Sequence, residues 1–192
     1  TMLKGGVWPF IRQKPYDIIA KPDDMPKAIF ISTFNSAPLT IDNNFALYGM
    51  DKLFQTGLDF IVKLTNGKTH LNIDGKTNPP KVFSEAKGVE LNTISGPHPA
   101  GNVGIQIHHI DPINKGDVVW YLEPQDVLVI AKLFNEGKYD LSRIISLTGS
   151  QILKPRYYKT IAGAPICNFV ANNLKEGESR IISGDVLCGT KI

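Results

Sequence analysis

The sequence predicts an α/β protein, an open and mainly parallel sheet with flanking helices, followed by part of a smaller β-rich module. Two observations carry the first half of that expectation. Short β-branched and aromatic runs alternate with segments whose apolar residues recur on the 3.6-residue helical period, and turn residues separate nearly every pair. A third observation carries the second half. After about Ser150 the helical period disappears and short β-like pieces alternate with single glycines. The expected division is therefore residues 1–150 and 151–192.

The elements follow in order. Gly5 to Asp24 holds Pro9, Pro15 and Pro22 among aromatics and predicts an irregular but ordered entry segment, since Trp8, Phe10 and Tyr16 favour burial. Lys27 to Thr33 predicts a buried strand ending at the Asn35-Ser36-Ala37-Pro38 turn. Asp51 to Leu64 predicts an amphipathic helix, with Leu53, Phe54, Leu58, Ile61 and Val62 in period and Asn66-Gly67 as the stop. Thr69 to Ile73 and Gly88 to Ser95 predict two more strands. Asn102 is placed to cap a helix reaching toward Pro112, although Val103, Ile105 and Ile107 also alternate as a strand does. Asp117 to Leu122 predicts a strand around Trp120, and Pro124-Gln125-Asp126 opens a helix over Val127 to Phe134 that Gly137 ends. Arg143 to Leu147 predicts the last strand of the first domain. Lys154 to Ile161, Ala164 to Val170 and Arg180 to Val186 predict the β-like pieces of an incomplete second one.

Composition excludes several function classes. A net charge of +3 with scattered basic residues gives no electrostatic footprint for nucleic acid. The two cysteines, Cys167 and Cys188, are too few for a disulfide framework and exclude a four-cysteine iron–sulfur site. Apolar runs such as Ala28 to Ile31 and Val127 to Ala131 fall far short of the roughly 20 residues of a membrane-spanning helix, and the first residues lack the apolar stretch of a signal peptide.

The histidines invite a metal or acid–base reading. His98, His108, His109 and Asp111 lie close in sequence, but adjacent histidines on a helix diverge by about 100° and no His-x-x-x-His pattern occurs. A structural or interface role is the better expectation, with no metal site and no catalytic residue assigned. Gly96-Pro97-His98-Pro99-Ala100-Gly101-Asn102 precedes a helix and is either an anion-binding loop or a plain tight turn. Neither a Gly-x-Gly-x-x-Gly fingerprint, a Gly-Lys-Ser/Thr pair nor a Gly-x-Ser-x-Gly elbow is present.

Longer strings carry a resemblance. These are Gly5-Gly6-Val7-Trp8-Pro9-Phe10-Ile11-Arg12-Gln13 with Pro15-Tyr16-Asp17, Asp23 through Phe30, Phe54-Gln55-Thr56-Gly57-Leu58, Ser95 through Gly104, His108 through Gly116, and Pro155 through Thr160. Nearly end to end, the chain resembles the NqrA family, one of the component families of the sodium-translocating NADH:quinone oxidoreductases. The resemblance implies an interior fragment of an NqrA chain. Such a fragment would hold a Rossmann-like domain related to the flavin-binding subunit of respiratory complex I, then part of a β-grasp, SLBB-type module.

It also implies a peripheral place on the cytoplasmic side of the bacterial inner membrane, beside the membrane-embedded NqrB component. The pump as a whole would use FAD, FMN, riboflavin, an iron–sulfur centre and ubiquinone. The relatives' flavin site needs a glycine-rich loop and an acidic pair. Trp8 within Gly5–Phe10 and the Asn35–Pro38 turn stand in their places, so no cofactor is expected on this chain. Docking and assembly are the implied role, with ubiquinone as a second; Trp8, Phe10, His98 and His108 are its candidate contacts on chemistry alone. A stand-alone flavin- or nucleotide-binding oxidoreductase domain is the alternative.

Overall fold

A computed structural model describes all 192 residues, Thr1 to Ile192, and they form two compact units. The first comprises Thr1–Ser36 and Asn43–Asp140, the second Ala37–Asp42 and Leu141–Ile192.

The first unit opens with a 3-10 turn at Trp8–Phe10, then β1 (Arg12–Lys14) and β2 (Ile18–Ile19). The entry segment is thus more regular than expected, because β1 and β2 form an antiparallel pair and β1 adds to the main sheet beside a later strand. Next come β3 (Ala28–Ser32), α1 (Asn43–Ala46), α2 (Asp51–Ile61) with a 3-10 extension to Leu64, β4 (Lys68–Asp74), α3 (Lys81–Ser84) and β5 (Glu90–Ile94). They are followed by α4 (Val103–Ile110), β6 (Val119–Leu122) and α5 (Pro124–Glu136). The ambiguous Val103 segment is a helix. Glu123 and Asp126 form a reciprocal capping box at the start of α5, and Gly137, in the left-handed conformation, closes it.

The six-stranded sheet has the order β2-β1-β6-β3-β4-β5. β6, β3, β4 and β5 are mutually parallel, as the alternation of strands and helices demands. The chain builds outward from β3 through β4 to β5, then returns to the other side of β3 as β6. This is the doubly wound arrangement, with its switch of direction between β3 and β6.

Strand alternation sends Ile29, Ile31, Leu71 and Trp120 to one face and Ala28, Phe30 and Val119 to the other. The second set packs with Ile107 of α4, so α4 covers that face. Helices α2 and α5 pack together, with Gly57 against Val127 and Phe60 stacked on Phe134 at 3.9 Å.

The second unit contains β7 (Ser142–Leu147), β8 (Arg156–Ile161), α6 (Cys167–Val170), β9 (Ile182–Ser183) and β10 (Thr190–Lys191). β7 and β8 form an antiparallel hairpin, and β9 pairs with β10. Two expectations change here. Arg143–Leu147 does not extend the parallel sheet but pairs with β8, so the division falls after Asp140, ahead of residue 150. Ala164–Val170 is not β-like; it ends in α6, where Phe169 meets Tyr158 edge to face at 5.3 Å. Buried Asn173 staples this unit by accepting from the Lys154 N–H and donating to its carbonyl. Residues 37–42 join it through Thr148 Oγ1, which donates to the Leu39 carbonyl, and the Asp42 N–H, which donates to Tyr157 Oη.

Candidate functional site

Open parallel sheets bind ligands outside the carboxyl ends of their strands, at the switch of strand order. In the first unit that place is bordered by Thr33–Ser36 after β3 and by Gly96–Asn102 before α4. The two loops meet backbone to backbone. A Cβ on Gly101 would lie 2.2 Å from the Ser36 nitrogen, so only glycine fits. The Gly101 N–H donates to Ser36 Oγ at 2.8 Å, and the same hydroxyl lies 3.0 Å from His98 Nδ1. The Ala100 and Asn102 N–H groups donate within the loop to the Pro97 and Pro99 carbonyls. Lys76 Nζ holds the loop's far end by donating to the Gly96 carbonyl at 2.7 Å. Of the two sequence readings, the tight turn describes this loop; three of the amides an anion would need already have partners.

Beneath the loops a chain of polar side chains crosses the face under α4. Ser32 Oγ donates to the Phe34 carbonyl at 2.9 Å. Gln106 Nε2 donates to Ser32 Oγ and to the Ala100 carbonyl. Asn72 Nδ2 donates to Gln106 Oε1 at 2.8 Å, and Asn92 Nδ2 donates to Asn72 Oδ1 at 2.9 Å. The chain ends at His70, whose Nδ1 lies 3.2 Å from Asn92 Nδ2. Asn72, Gln106 and His70 are at most 2% exposed. His70 stacks on Phe30 at 4.5 Å, and its Nε2 is buried without a partner. Burial pushes the His70 pKa below its ordinary value, against the opposing pull of Glu90 and Asp111. The sequence reading missed this network. Its signal was the polar side chains His70, Asn72 and Asn92 inside strands whose neighbours are apolar, with a glutamine on the apolar face of α4.

The four quinone candidates do not converge. Trp8 is a core residue: its Nε1 donates to the Ala20 carbonyl at 2.7 Å and its ring meets Trp120 edge to face at 5.5 Å. Phe10 is half-buried beside it on the same 3-10 turn. His98 lies in the loop before α4, against Ser36, and exposed His108 stands near the far end of that helix, against His109. Asp111 is held by Lys27, whose Nζ contacts it at 2.6 Å, Asp117 at 3.3 Å and the Pro112 carbonyl at 2.9 Å. The Asp111 hydrogen bond leads the causes that raise the Lys27 pKa. Much of the His108–Gly116 string is thereby explained as an anchor for the α4–β6 connection.

A second polar cluster sits at the β1 edge. Tyr121 Oη donates to Asp17 Oδ1 at 2.6 Å, with Arg12 and Lys14 alongside. Burial, then the Asp17 bond, pushes the Tyr121 hydroxyl pKa far up, so it remains a donor. Burial raises the Asp17 pKa, but Tyr121, Lys14 and Arg12 outweigh it and hold the carboxylate below its ordinary value.

No helix is long and apolar enough to cross a membrane. Residues 1–139 match the family model described as the NqrA second alpha/beta domain, and residues 144–192 match the one for the NQRA C-terminal domain. Curated relatives, the A subunits of Na(+)-translocating NADH-quinone reductases, are 39% identical over 191 residues in Photorhabdus laumondii and 37% over 192 residues in Saccharophagus degradans. Each match covers 100% of this chain but 42% of the relative, so the chain spans less than half of their length. Among solved structures, a chain of an NAD+-reducing [NiFe]-hydrogenase aligns over 86% of this chain and 35% of its own, with a TM-score of 0.57 and 13% identity, a likeness of fold alone. The α/β sheet with its SLBB-type second module and both family matches lead to one assignment: this chain belongs to the NqrA family of the Na(+)-translocating NADH-quinone reductases.

Proposed function

We propose that the chain serves a sodium-translocating NADH-quinone reductase as a non-catalytic assembly domain, docked on the membrane-embedded NqrB component from the cytoplasmic side and carrying no flavin. The closed end of the sheet supports this reading. A flavin phosphate needs free backbone amides and room at the strand ends. Here Gly101 lies against Ser36, and the N–H groups of Ala100, Gly101 and Asn102 already donate elsewhere. Trp8, where a glycine-rich loop would need space, is packed on Trp120. These residues do not fit the group, and no step is routed through it. FAD, FMN, riboflavin and the iron–sulfur centre belong, on this reading, to other components of the pump.

Ubiquinone is the substrate class to test against this reading. A ligand that prefers the native state raises apparent stability by RT ln(1 + [L]/Kd), about 2.7 kcal/mol at a hundredfold excess over Kd. Thermal unfolding with a water-soluble ubiquinone analogue is expected to show no saturable shift. Co-expression with NqrB is expected to retain the chain on the membrane. A saturable upward shift would move the quinone onto these residues and overturn a purely assembling role.

A further inference from the structure

The polar chain from His70 to Ser32 has a direction. At its far end stand three backbone carbonyls, Phe34, Gly101 and Ala100, which can only accept hydrogen bonds. At its near end stands His70 Nδ1, facing an amide NH2 that can only donate. The neutral ring therefore accepts at Nδ1 and carries its proton on Nε2. Between these ends every amide is oriented by its neighbours, and Asn92 Nδ2 faces acceptors only: Asn72 Oδ1, His70 Nδ1 and the Glu90 carbonyl.

We propose that this chain is a proton-linked relay, in which protonation of His70 reverses the amide chain and releases the loops that close the carboxyl end of the sheet. The proton comes from solvent and adds to Nδ1, which then must donate. Asn92 turns its amide to present Oδ1. That oxygen now faces Asn72 Oδ1, so Asn72 turns, and Gln106 turns after it. Gln106 Oε1 then faces the Ala100 carbonyl, where two acceptors repel, and Ser32 rotates its hydroxyl away from the Phe34 and Gly101 carbonyls to satisfy Gln106. The ties to Phe34 on one loop and to Ala100 and Gly101 on the other are lost together. The remaining link is the Ser36 contact with Gly101 and His98.

The charged groups around His70 set the threshold. On its own strand Lys68 opposes the cation, on β5 Glu90 favours it, and at the end of α4 Asp111 favours it. Each is already paired, Lys68 with Glu90 at 2.7 Å and Asp111 with Lys27 at 2.6 Å. Phe30 of β3 and Ile107 of α4 supply no charge on the remaining sides. Burial therefore dominates, and the relay holds its closed direction at neutral pH.

Nuclear magnetic resonance on the whole chain tests this from about pH 8 downward until the His70 ring is fully protonated, below the ordinary histidine range because burial depresses it. The ring nitrogens of neutral His70 are expected to show the proton on Nε2. As the ring titrates, the side-chain amides of Asn92, Asn72 and Gln106 shift with the same midpoint. The Gly101 and Asn102 amides lose protection, about tenfold for each pK unit of coupling after correction for intrinsic exchange. His98 is the other histidine of this region and lies in the loop itself, so His98→Gln is the control and retains the whole transition, whereas His70→Phe abolishes it. A neutral ring with its proton on Nδ1 would overturn the proposal, and this needs no variant. So would amides that ignore the His70 titration, or a loss of protection that disappears in His98→Gln and persists in His70→Phe.

Discussion

The two faces of the parallel sheet are built from the same strands but on different principles. Toward α2 and α5 the strands present Ile29, Ile31, Leu71, Trp120 and Leu122, and the helices answer with Phe54, Leu58, Ile61, Val127 and Ile130, all buried. Toward α4 the same strands present Phe30 and Val119, but also Ser32, His70 and Asn72, with Asn92 from β5. An apolar face tolerates small errors by repacking, since its contacts lack direction. A buried polar face has one good arrangement, and a broken member leaves its neighbours without partners. The first face holds the unit together and the second specifies where α4 and its loop lie.

Substitutions sharpen that contrast. Phe54 is fully buried and meets Phe83 edge to face at 5.4 Å. Phe54→Ala is expected to lower stability by about 3–5 kcal/mol, measured by urea denaturation. Gly57→Ala comes next. Its Cβ would lie 2.4 Å from the Val127 carbonyl, forcing α2 and α5 apart at a cost of about 1–3 kcal/mol and a lower thermal midpoint. Asn72→Ala leaves Gln106 Oε1 without its donor, at about 1–3 kcal/mol, while Asn92 Nδ2 keeps His70 and the Glu90 carbonyl. Hydrogen exchange would locate its effect on the loop before α4, whereas Phe54→Ala would loosen α2 and α3. If both variants gave the same exchange pattern, the distinction between the faces would fail.

A pH dependence separates the faces with a smaller effect. The folded His70 pKa is depressed, so the unfolded chain binds more protons between the two pKa values. Stability is then complete above the unfolded value of about 6.5 and falls as pH drops through that value toward the folded one, by at most about 1.4 kcal/mol per pK unit. Stability curves at several pH values check this, and His70→Phe is expected to flatten the histidine part. The smallest effect belongs to the exposed Lys68–Glu90 pair at 2.7 Å, where Glu90→Gln is expected to leave the thermal midpoint unchanged.

The apolar face was legible in the sequence and the polar face was not, for a physical reason. The period of Leu53, Phe54, Leu58 and Ile61 predicts α2 because burial of a stripe is a local pattern, and the Pro124 and Gly137 signals bound α5 because caps are local too. The network joins residues from Ser32 to Gln106, and hydrogen-bond partners so far apart leave no spacing to read. The loop string Gly96–Asn102 was visible, but its meaning depended on Ser36, which the chain brings to it only after folding. Strand pairing also decided β7: Arg143–Leu147 has the composition of a strand in either sheet, and only its pairing with β8 places it in the second unit. The quinone candidates were chosen by side-chain chemistry, and chemistry alone does not reveal that Trp8 packs on Trp120 while His98 lies in a loop against Ser36.

The closed carboxyl end of the sheet carries most of the functional reading, and flavin is its sharpest probe. The direct test is to refold the purified chain with excess FMN, remove free flavin, denature the protein, and quantify the released flavin by fluorescence against protein concentration. None is expected above background, in the native chain or in the refolded one. Flavin released in a one-to-one ratio would show that the contact between Gly101 and Ser36 opens to admit a phosphate, and would contradict a closed sheet end.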